Sequence, residues 1–171
     1  MNRAHTVTVN KTDPSVTIWL PQLAYIAILE EAITKMPCET GGILIGYWGS
    51  STEVVVTAVV GPGPKAIHKK RSFRPDNAYH EQEIARLYTQ SGRTETYLGD
   101  WHTHPAAAAY MSFRDELTLR SLAEYKQARL TQPLMLILGT QPLGLQAWAH
   151  TYRKAFFATK SVYGACSIII Y

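Results

Sequence analysis

Leu98-Gly-Asp-Trp-His102-Thr-His104-Pro105 is the segment that most constrains the architecture of this chain. The β-rich residues from 95 to 102 predict a strand, which ends at His-Thr-His-Pro because proline cannot donate to a sheet ladder. Alternate residues of an extended strand point to the same face, so His102 and His104 can direct both imidazoles at one point. The sequence therefore predicts a two-histidine site at the end of a strand.

Asp115 can supply a carboxylate to the two histidines if the loop between Pro105 and Met111 folds back. It lies in Ser112-Phe-Arg-Asp115, which opens a helical pattern running to about residue 128. Two imidazoles and one carboxylate are a favoured ligand set for catalytic zinc, and they leave the fourth position for water. Ser-x-x-Asp before a helix is also close to a capping box. Both interpretations are compatible, because a helix N-terminus favours an anionic side chain.

Proline and glycine divide the rest of the chain into short elements. Helices are expected from Pro21 to before Pro37, from residue 76 or 77 to about 90, and from Ser112. The expected strands cover residues 16–20, 42–48, 53–60, 95–102, 134–138, 145–151 and 167–171. The expected helices and strands alternate irregularly, which favours an α/β (α+β) fold with one mixed sheet flanked by helices. The length predicts a single domain over residues 1–171.

The first helix carries a stripe of apolar residues at helical spacing, which we expect to face the core. Its members are Leu23, Ile26, Ala27, Leu29 and Ile33. The last strand, at residues 167–171, is expected to be an edge strand of the core in preference to an exposed tail that binds a partner.

Composition favours a folded cytoplasmic protein. Hydrophobic residues make up 46% and charged residues 18% of the 171 residues, as in ordinary globular proteins. The start of the chain lacks the apolar segment of a secretory signal, and no apolar run reaches about 18 residues, so no membrane span is expected. Cys38 and Cys166 are too few for a disulfide framework and are expected to be free thiols.

The net charge of +4 is mild, and residues 65–74 are its densest part. This basic segment is interpreted as a solvated loop or as a docking surface for an acidic partner or substrate tail. Nucleic acid is the least favoured partner, because a nucleic-acid-binding protein normally shows more basic charge or a pattern of stacking aromatics.

These motifs resemble the JAMM motif of the JAB/MPN metallopeptidases. The resemblance covers His-Thr-His-Pro, the seven residues between His104 and Ser112, and Asp115. It extends to Glu39, which precedes the small-residue strand Thr40-Gly-Gly-Ile-Leu-Ile-Gly46. It implies an MPN-like domain with one Zn²⁺ held by His102, His104 and Asp115 at a strand end and a helix N-terminus. Glu39 is then the general base, and Ser112 donates a hydrogen bond to the oxyanion.

The residues 99–105 and 72–76 resemble those of prokaryotic deubiquitinase-like members that accompany conjugation enzymes in bacterial anti-phage operons. The implied substrate is a ubiquitin-like protein or its conjugate, and the implied partners are the activating and conjugating enzymes of the same operon. Two alternatives stay open. One is a peptidase that releases an amino acid from a sulfur-carrier protein, and the other is a noncatalytic zinc-containing binding module.

Further residues carry weaker expectations. Asp100 shares the face of the histidines, where it can orient a ligand or simply be a satisfied polar residue. Tyr110 and Met111 are expected to border the cleft, and Gly41 and Gly42 to let the backbone approach it closely. The alanine-rich loop 106–109 and the basic segment are candidate gates. The remaining histidines, expected to be structural or exposed, are His5, His68, His80 and His150.

Overall fold

Strands dominate the protein, whose computed structural model describes residues 15–130, 132–155 and 158–171. The strands are β1 Thr17–Leu20, β2 Gly41–Trp48, β3 Glu53–Val60, β4 Ile67–Lys69, β5 Ser72–Arg74, β6 Thr96–His104, β7 Leu134–Thr140, β8 Leu143–Ala155, β9 Ala158–Ala165 and β10 Ser167–Ile170. Eight of them form one sheet in the order β10-β1-β3-β2-β6-β7-β8-β9, and β4 and β5 form a separate hairpin. The predicted mixed sheet flanked by helices is confirmed.

The centre of the sheet is formed by β2, β6 and β7, whose residues are mostly buried. β6 runs antiparallel to β2 and parallel to β7. Strands covered on both faces read as nearly continuous apolar runs, which is why Leu134–Thr140 shows no polar alternation. The strand that ends in the two histidines therefore lies in the most constrained part of the molecule.

Three helices flank the sheet: α1 Gln22–Lys35, α2 Asn77–Gln90 and α3 Phe113–Glu124, the last followed by a short 3₁₀ helix, Lys126–Ala128. The side chain of Asp76 caps α2 by accepting a hydrogen bond from the backbone N–H of Tyr79, as its sequence predicts. Within the described residues, none of the helices is long and apolar enough to cross a membrane.

The buried face predicted for α1 is wrong except at Leu29, which is half-buried and packs against the core. Leu23 is 81% exposed and Ile33 is 73% exposed, whereas Ala24, Ile28 and Ala32 are buried. These three residues recur every four positions and therefore line one side of the helix. Two alanines let the helix backbone approach the sheet, so the larger residues beside them remain in solvent.

The basic segment and the C-terminal strands also differ from expectation. Residues 65–74 are not a plain loop, because β4 and β5 pair from Ile67 with Arg74 to Lys69 with Ser72. β9 was not expected, and β8 is longer than expected. The predicted edge position of the last strand is confirmed, since β10 pairs with β1 in parallel at the end of the sheet.

The chain passes directly from β9 to β10, which lie at the two ends of the strand order. The backbone N–H of Cys166 donates to Ala147 in β8, and that of Ser167 donates to Val16 beside β1. Two consecutive residues thus hydrogen-bond to strands near opposite ends of the sheet, and the sheet must curl to bring those strands together. A single domain over residues 1–171 stays a prediction, and His5 lies outside the described residues.

Candidate metal centre and active-site cleft

The end of β6 and the first turn of α3 bring together three side chains with metal-ligating atoms. His102 Nε2 lies 3.1 Å from His104 Nε2 and 3.1 Å from Asp115 Oδ1, and His104 Nε2 lies 3.5 Å from Asp115 Oδ2. Among the described residues, this is the one cluster of at least three histidine, cysteine or acidic side chains close enough to share an ion. The sequence-predicted ligand residues therefore do converge.

These separations fit a small divalent ion. Zinc–nitrogen and zinc–oxygen bonds of about 2.0–2.1 Å in tetrahedral geometry place ligand atoms roughly 3.3–3.4 Å apart. The observed separations of 3.1, 3.1 and 3.5 Å lie on either side of that value, and the two to Asp115 are made to its two different carboxylate oxygens. Two imidazole nitrogens with one carboxylate also form a donor set that suits zinc. The residues present therefore fit the metal ion that the motif implies.

Strand register places the two histidines. The partner of His102 in β2 is Gly41. A Cβ atom at Gly41 would collide with the carbonyl oxygen of Trp101 and crowd His102, and one at Gly42 would collide with the carbonyl oxygen of Val60. The two glycines thus permit close approach of neighbouring strands beside the site, and Gly42 also lines the cleft.

A capping box fixes Asp115. The backbone N–H of Ser112 donates to Asp115 Oδ2 at 2.9 Å, and the backbone N–H of Asp115 donates to Ser112 Oγ at 3.3 Å. Capping and convergence on His102 thus coexist, as the sequence suggested. Burial acts to raise the pKa of the Asp115 carboxyl, but hydrogen bonds from His102 and His104 outweigh it and hold the pKa well below its usual range.

Glu39 lines the same cleft as His102, His104, Ser112 and Asp115. Burial raises the pKa of its carboxyl above the ordinary value, and the nearby imidazoles of His102 and His104 oppose that rise. A carboxyl whose pKa is raised beside a candidate metal centre is a candidate for proton transfer.

The cleft has a volume of about 920 Å³, and the basic hairpin β4–β5 supplies one wall through Lys70, Arg71, Ser72 and Phe73. Arg114 lies in the cleft lining as well. The ion pairs found among the described residues involve none of Lys70, Arg71 and Arg114. Three cations that form no close ion pair among the described residues therefore flank the candidate metal centre, and the charge of Arg114 acts on Glu39.

Asp100 lines the cleft on the same face as His102. Its Oδ1 accepts a hydrogen bond of 2.6 Å from the Tyr97 hydroxyl. Burial raises the pKa of its carboxyl, and the hydrogen bond from Tyr97 opposes that shift. The structure thus gives Asp100 a protein partner, while a role in orienting a ligand stays a prediction.

The loop after His104 only partly matches expectation. Tyr110 borders the cleft and packs on His104, with ring centroids 4.9 Å apart. Met111 packs instead against a small core cluster around Leu119. Backbone atoms of Ala106 and Ala107 make hydrogen bonds with Thr140 and Gln141, so this loop is fastened to the turn after β7.

Sequence reasoning missed several supporting contacts. Thr40 and Thr103 are joined by hydrogen bonds. The backbone N–H of Thr103 donates to Thr40 O at 2.9 Å, and the backbone N–H of Thr40 donates to Thr103 Oγ1 at 3.1 Å. His80 is buried, and its Nε2 hydrogen-bonds to Gly61 O at 2.8 Å, as a structural histidine. Only the position of Thr103 between the histidines gave a signal, because its side chain must face away from theirs.

Comparison with known proteins gives a consistent result. The family described as prokaryotic homologs of the JAB domain matches residues 21–151. The probable metalloprotease y4qB of Sinorhizobium fredii is 39% identical over 122 residues, covering 71% of this chain and 74% of that protein. A CD-NTase/cGAS isopeptidase of Escherichia coli is 34% identical over 100 residues, covering 53% of this chain and 64% of that protein.

Similarity also extends to solved structures. The solution structure of the Desulfitobacterium hafniense protein DSY2949 matches with a TM-score of 0.61 and 18% identity, covering 90% of this chain and 92% of that one. At that identity the match supports the fold alone.

Proposed function

Because the chain belongs to the family of prokaryotic JAB-domain homologues and is a JAMM-type metallopeptidase, we propose that it is a zinc isopeptidase. Its substrate is a ubiquitin-like modifier or a conjugate of one, cleaved after the modifier's C-terminus. The observation that carries this proposal is the convergence of His102, His104 and Asp115 in one cleft with Glu39. Three protein ligands leave one position of a tetrahedral ion open, whereas structural zinc sites are closed by four.

His102, His104 and Asp115 are the proposed ligands. A zinc ion bound there supplies Lewis acidity, which lowers the pKa of water and polarises a carbonyl group. The protein's own contribution is orientation, because the strand, the capping box and the Tyr110 ring restrict how the three ligand side chains can move.

Glu39 is the proposed general base and acid. It takes a proton from the attacking water and delivers it to the departing amine, whether that amine is an α-amino group or a lysine side chain. Its raised pKa supports this role, because a carboxylate with a raised pKa takes up a proton more readily than an ordinary one. Arg114 also lines the cleft, and its charge opposes the rise in the pKa of Glu39.

Ser112 is the proposed oxyanion donor. Its Oγ already accepts the N–H of Asp115, so the hydroxyl hydrogen remains available for donation. A preorganised donor of this kind stabilises the charge that develops on the carbonyl oxygen in the transition state. The capping contact fixes the position of the oxygen atom from which that hydrogen is donated.

The finer substrate assignment rests on the names of relatives. The relatives from Escherichia coli, Enterobacter hormaechei and Vibrio cholerae are named CD-NTase/cGAS isopeptidases. By analogy, this chain removes a ubiquitin-like modifier from a conjugated protein in bacterial antiviral defence, acts in the cytoplasm, and accompanies activating and conjugating enzymes. Trimming of the modifier precursor is the same reaction on a peptide bond. An extended C-terminal tail suits the cleft, where it can add along a strand edge.

The test is cleavage of the candidate conjugate from the chain's own operon by the purified protein, with zinc and with a chelator. Cleavage that stops on chelation and returns with zinc supports the proposal. Cleavage of unrelated peptides while the conjugate stays intact contradicts it, and release of an amino acid from a sulfur-carrier protein supports that alternative.

Glu39→Ala separates an enzyme from a binding module. We expect this variant to retain zinc and to bind the conjugate, while turnover falls by a factor of about 10² to 10⁴, the usual contribution of general acid–base catalysis. Metal content is measured by mass spectrometry on the same sample. Unchanged turnover in the metal-loaded variant contradicts the role given to Glu39.

A further inference from the structure

The backbone of Glu39 is held by the hairpin β4–β5 and not by the main sheet. Pairing of β2 with β6 begins at Gly41 and His102, two residues after Glu39. The N–H of Glu39 donates to Lys69 O at 2.9 Å, and the carbonyl oxygen of Glu39 lies 3.0 Å from His68 Nδ1. Both polar groups of the Glu39 backbone are therefore satisfied by consecutive residues of β4.

The contact with His68 fixes the state of that ring. A carbonyl oxygen can only accept, so Nδ1 must carry the hydrogen. The cross-strand partner of His68 in the hairpin is Phe73, and the two ring centroids lie 5.3 Å apart. The imidazole is thus held between an aromatic ring on one strand and the backbone of Glu39 beyond the hairpin.

We propose that His68 is a positioning residue for Glu39, through which the hairpin sets the place of the general base in the cleft. This inference rests on the proposed function. Phe73 lines the cleft but His68 does not, so His68 acts through Glu39 and not on substrate. The residue before Glu39 follows the turn that ends α1, and β2 has not yet begun, so the hydrogen bonds from β4 hold the backbone from which the carboxylate extends, next to Thr40 and its bonds to Thr103.

A small displacement of Glu39 affects turnover strongly. A misplacement of about 1 Å in a catalytic group can lower turnover by roughly 10²-fold. The zinc ligands lie on β6 and α3 and make no hydrogen bond to the hairpin. Loss of the His68 contact is therefore expected to change turnover while leaving metal binding intact.

Three substitutions of His68 test the hydrogen-bond donor at Nδ1 separately from the presence of the imidazole ring. His68→Asn places an amide N–H near the position of Nδ1, His68→Gln places it near Nε2, and His68→Ala removes it. We expect His68→Gln and His68→Ala to lower kcat by about 10- to 100-fold, with KM and zinc content unchanged. His68→Asn is expected to recover most of kcat, and melting temperatures identify any variant that fails to fold.

A readout independent of activity comes from the metal-free protein. Nitrogen-15 NMR of the His68 imidazole is expected to show a protonated Nδ1. A bare Nδ1, or equal kcat in wild type and His68→Ala, overturns the inference. Equal loss of kcat in the Asn and Gln variants overturns it too, because the donor position would then not matter. Failure of the wild-type protein to cut any conjugate would instead reject the proposed function.

Discussion

The two walls of the cleft are built differently. The ligand wall, formed by the end of β6 and the start of α3, belongs to the eight-stranded sheet and to a capped helix. The base wall, formed by Glu39 and the hairpin β4–β5, lies outside that sheet and depends on a few tertiary hydrogen bonds. Metal binding is thus expected to be robust, while the position of the base is sensitive to substitutions that do not touch the metal.

The largest effect is expected on the ligand wall. Asp115→Asn removes the proposed anionic ligand, while an amide oxygen can still accept from the backbone N–H of Ser112. We expect metal affinity to fall by at least about 10-fold and turnover to be lost at limiting zinc, with α3 still capped. Zinc titration of the purified variant checks this, with wild type as the control. Unchanged affinity would remove Asp115 from the ligand set.

Ser112 lies on the same wall but is proposed to contribute to turnover instead of metal binding. Ser112→Ala is expected to lower kcat by about 10² to 10³ and stability by about 1 kcal/mol through the lost cap. Ser112→Thr retains the hydroxyl for both tasks and serves as the matched control. Steady-state kinetics and urea unfolding separate the two effects. A loss of stability with unchanged kcat would leave Ser112 as a cap only.

Thr103 joins the two walls. Thr103→Val keeps the shape of the side chain but removes the acceptor of the buried Thr40 N–H. Leaving that donor unpaired is expected to lower the free energy of unfolding by about 1–3 kcal/mol. Because Thr40 follows Glu39, kcat should fall by more than zinc affinity. Thr103→Ser retains the hydroxyl, and equal stability of the Val and Ser variants would contradict the expectation.

The smallest effect is expected at the tip of the base wall. Arg71→Glu reverses an exposed charge that lines the cleft and pairs with no acid among the described side chains. If this wall receives an acidic substrate segment, kcat/KM should fall a few-fold at low salt, and the difference should shrink as salt screens it. Lys126→Glu makes the same charge change on an exposed helix outside the cleft lining. Equal behaviour of the two variants would argue against recognition of acidic residues by the hairpin.

The ligand wall was the more predictable of the two. His102 and His104 follow from strand alternation, and Asp115 follows from the capping pattern, so local rules suffice. His68 offered no such signal, because its partner is the backbone of a residue far away in sequence. A contact between residues of separate elements does not produce a periodic pattern in the sequence, so the sequence does not predict it.

The wrong predictions about the fold have physical causes as well. Periodicity in α1 favoured Leu23 and Ile33 because they are large, yet close packing on the sheet selected Ala24 and Ala32. β9 mixes small, polar and aromatic residues, and its pairing with β8 supplies the order that propensity does not predict. The strands that surround the histidines were predicted because burial on both faces makes them uniformly apolar.

One carboxylate, that of Asp115, serves both the helix and the candidate ion. Its Oδ2 accepts the backbone N–H of Ser112, while its Oδ1 faces His102. Metal binding and the ordered first turn of α3 are therefore thermodynamically linked, and metal binding must oppose fraying of that turn by the same free energy with which the ordered turn favours the metal. Slower amide exchange in that turn would then report that the metal site is occupied, in an experiment that needs no substrate.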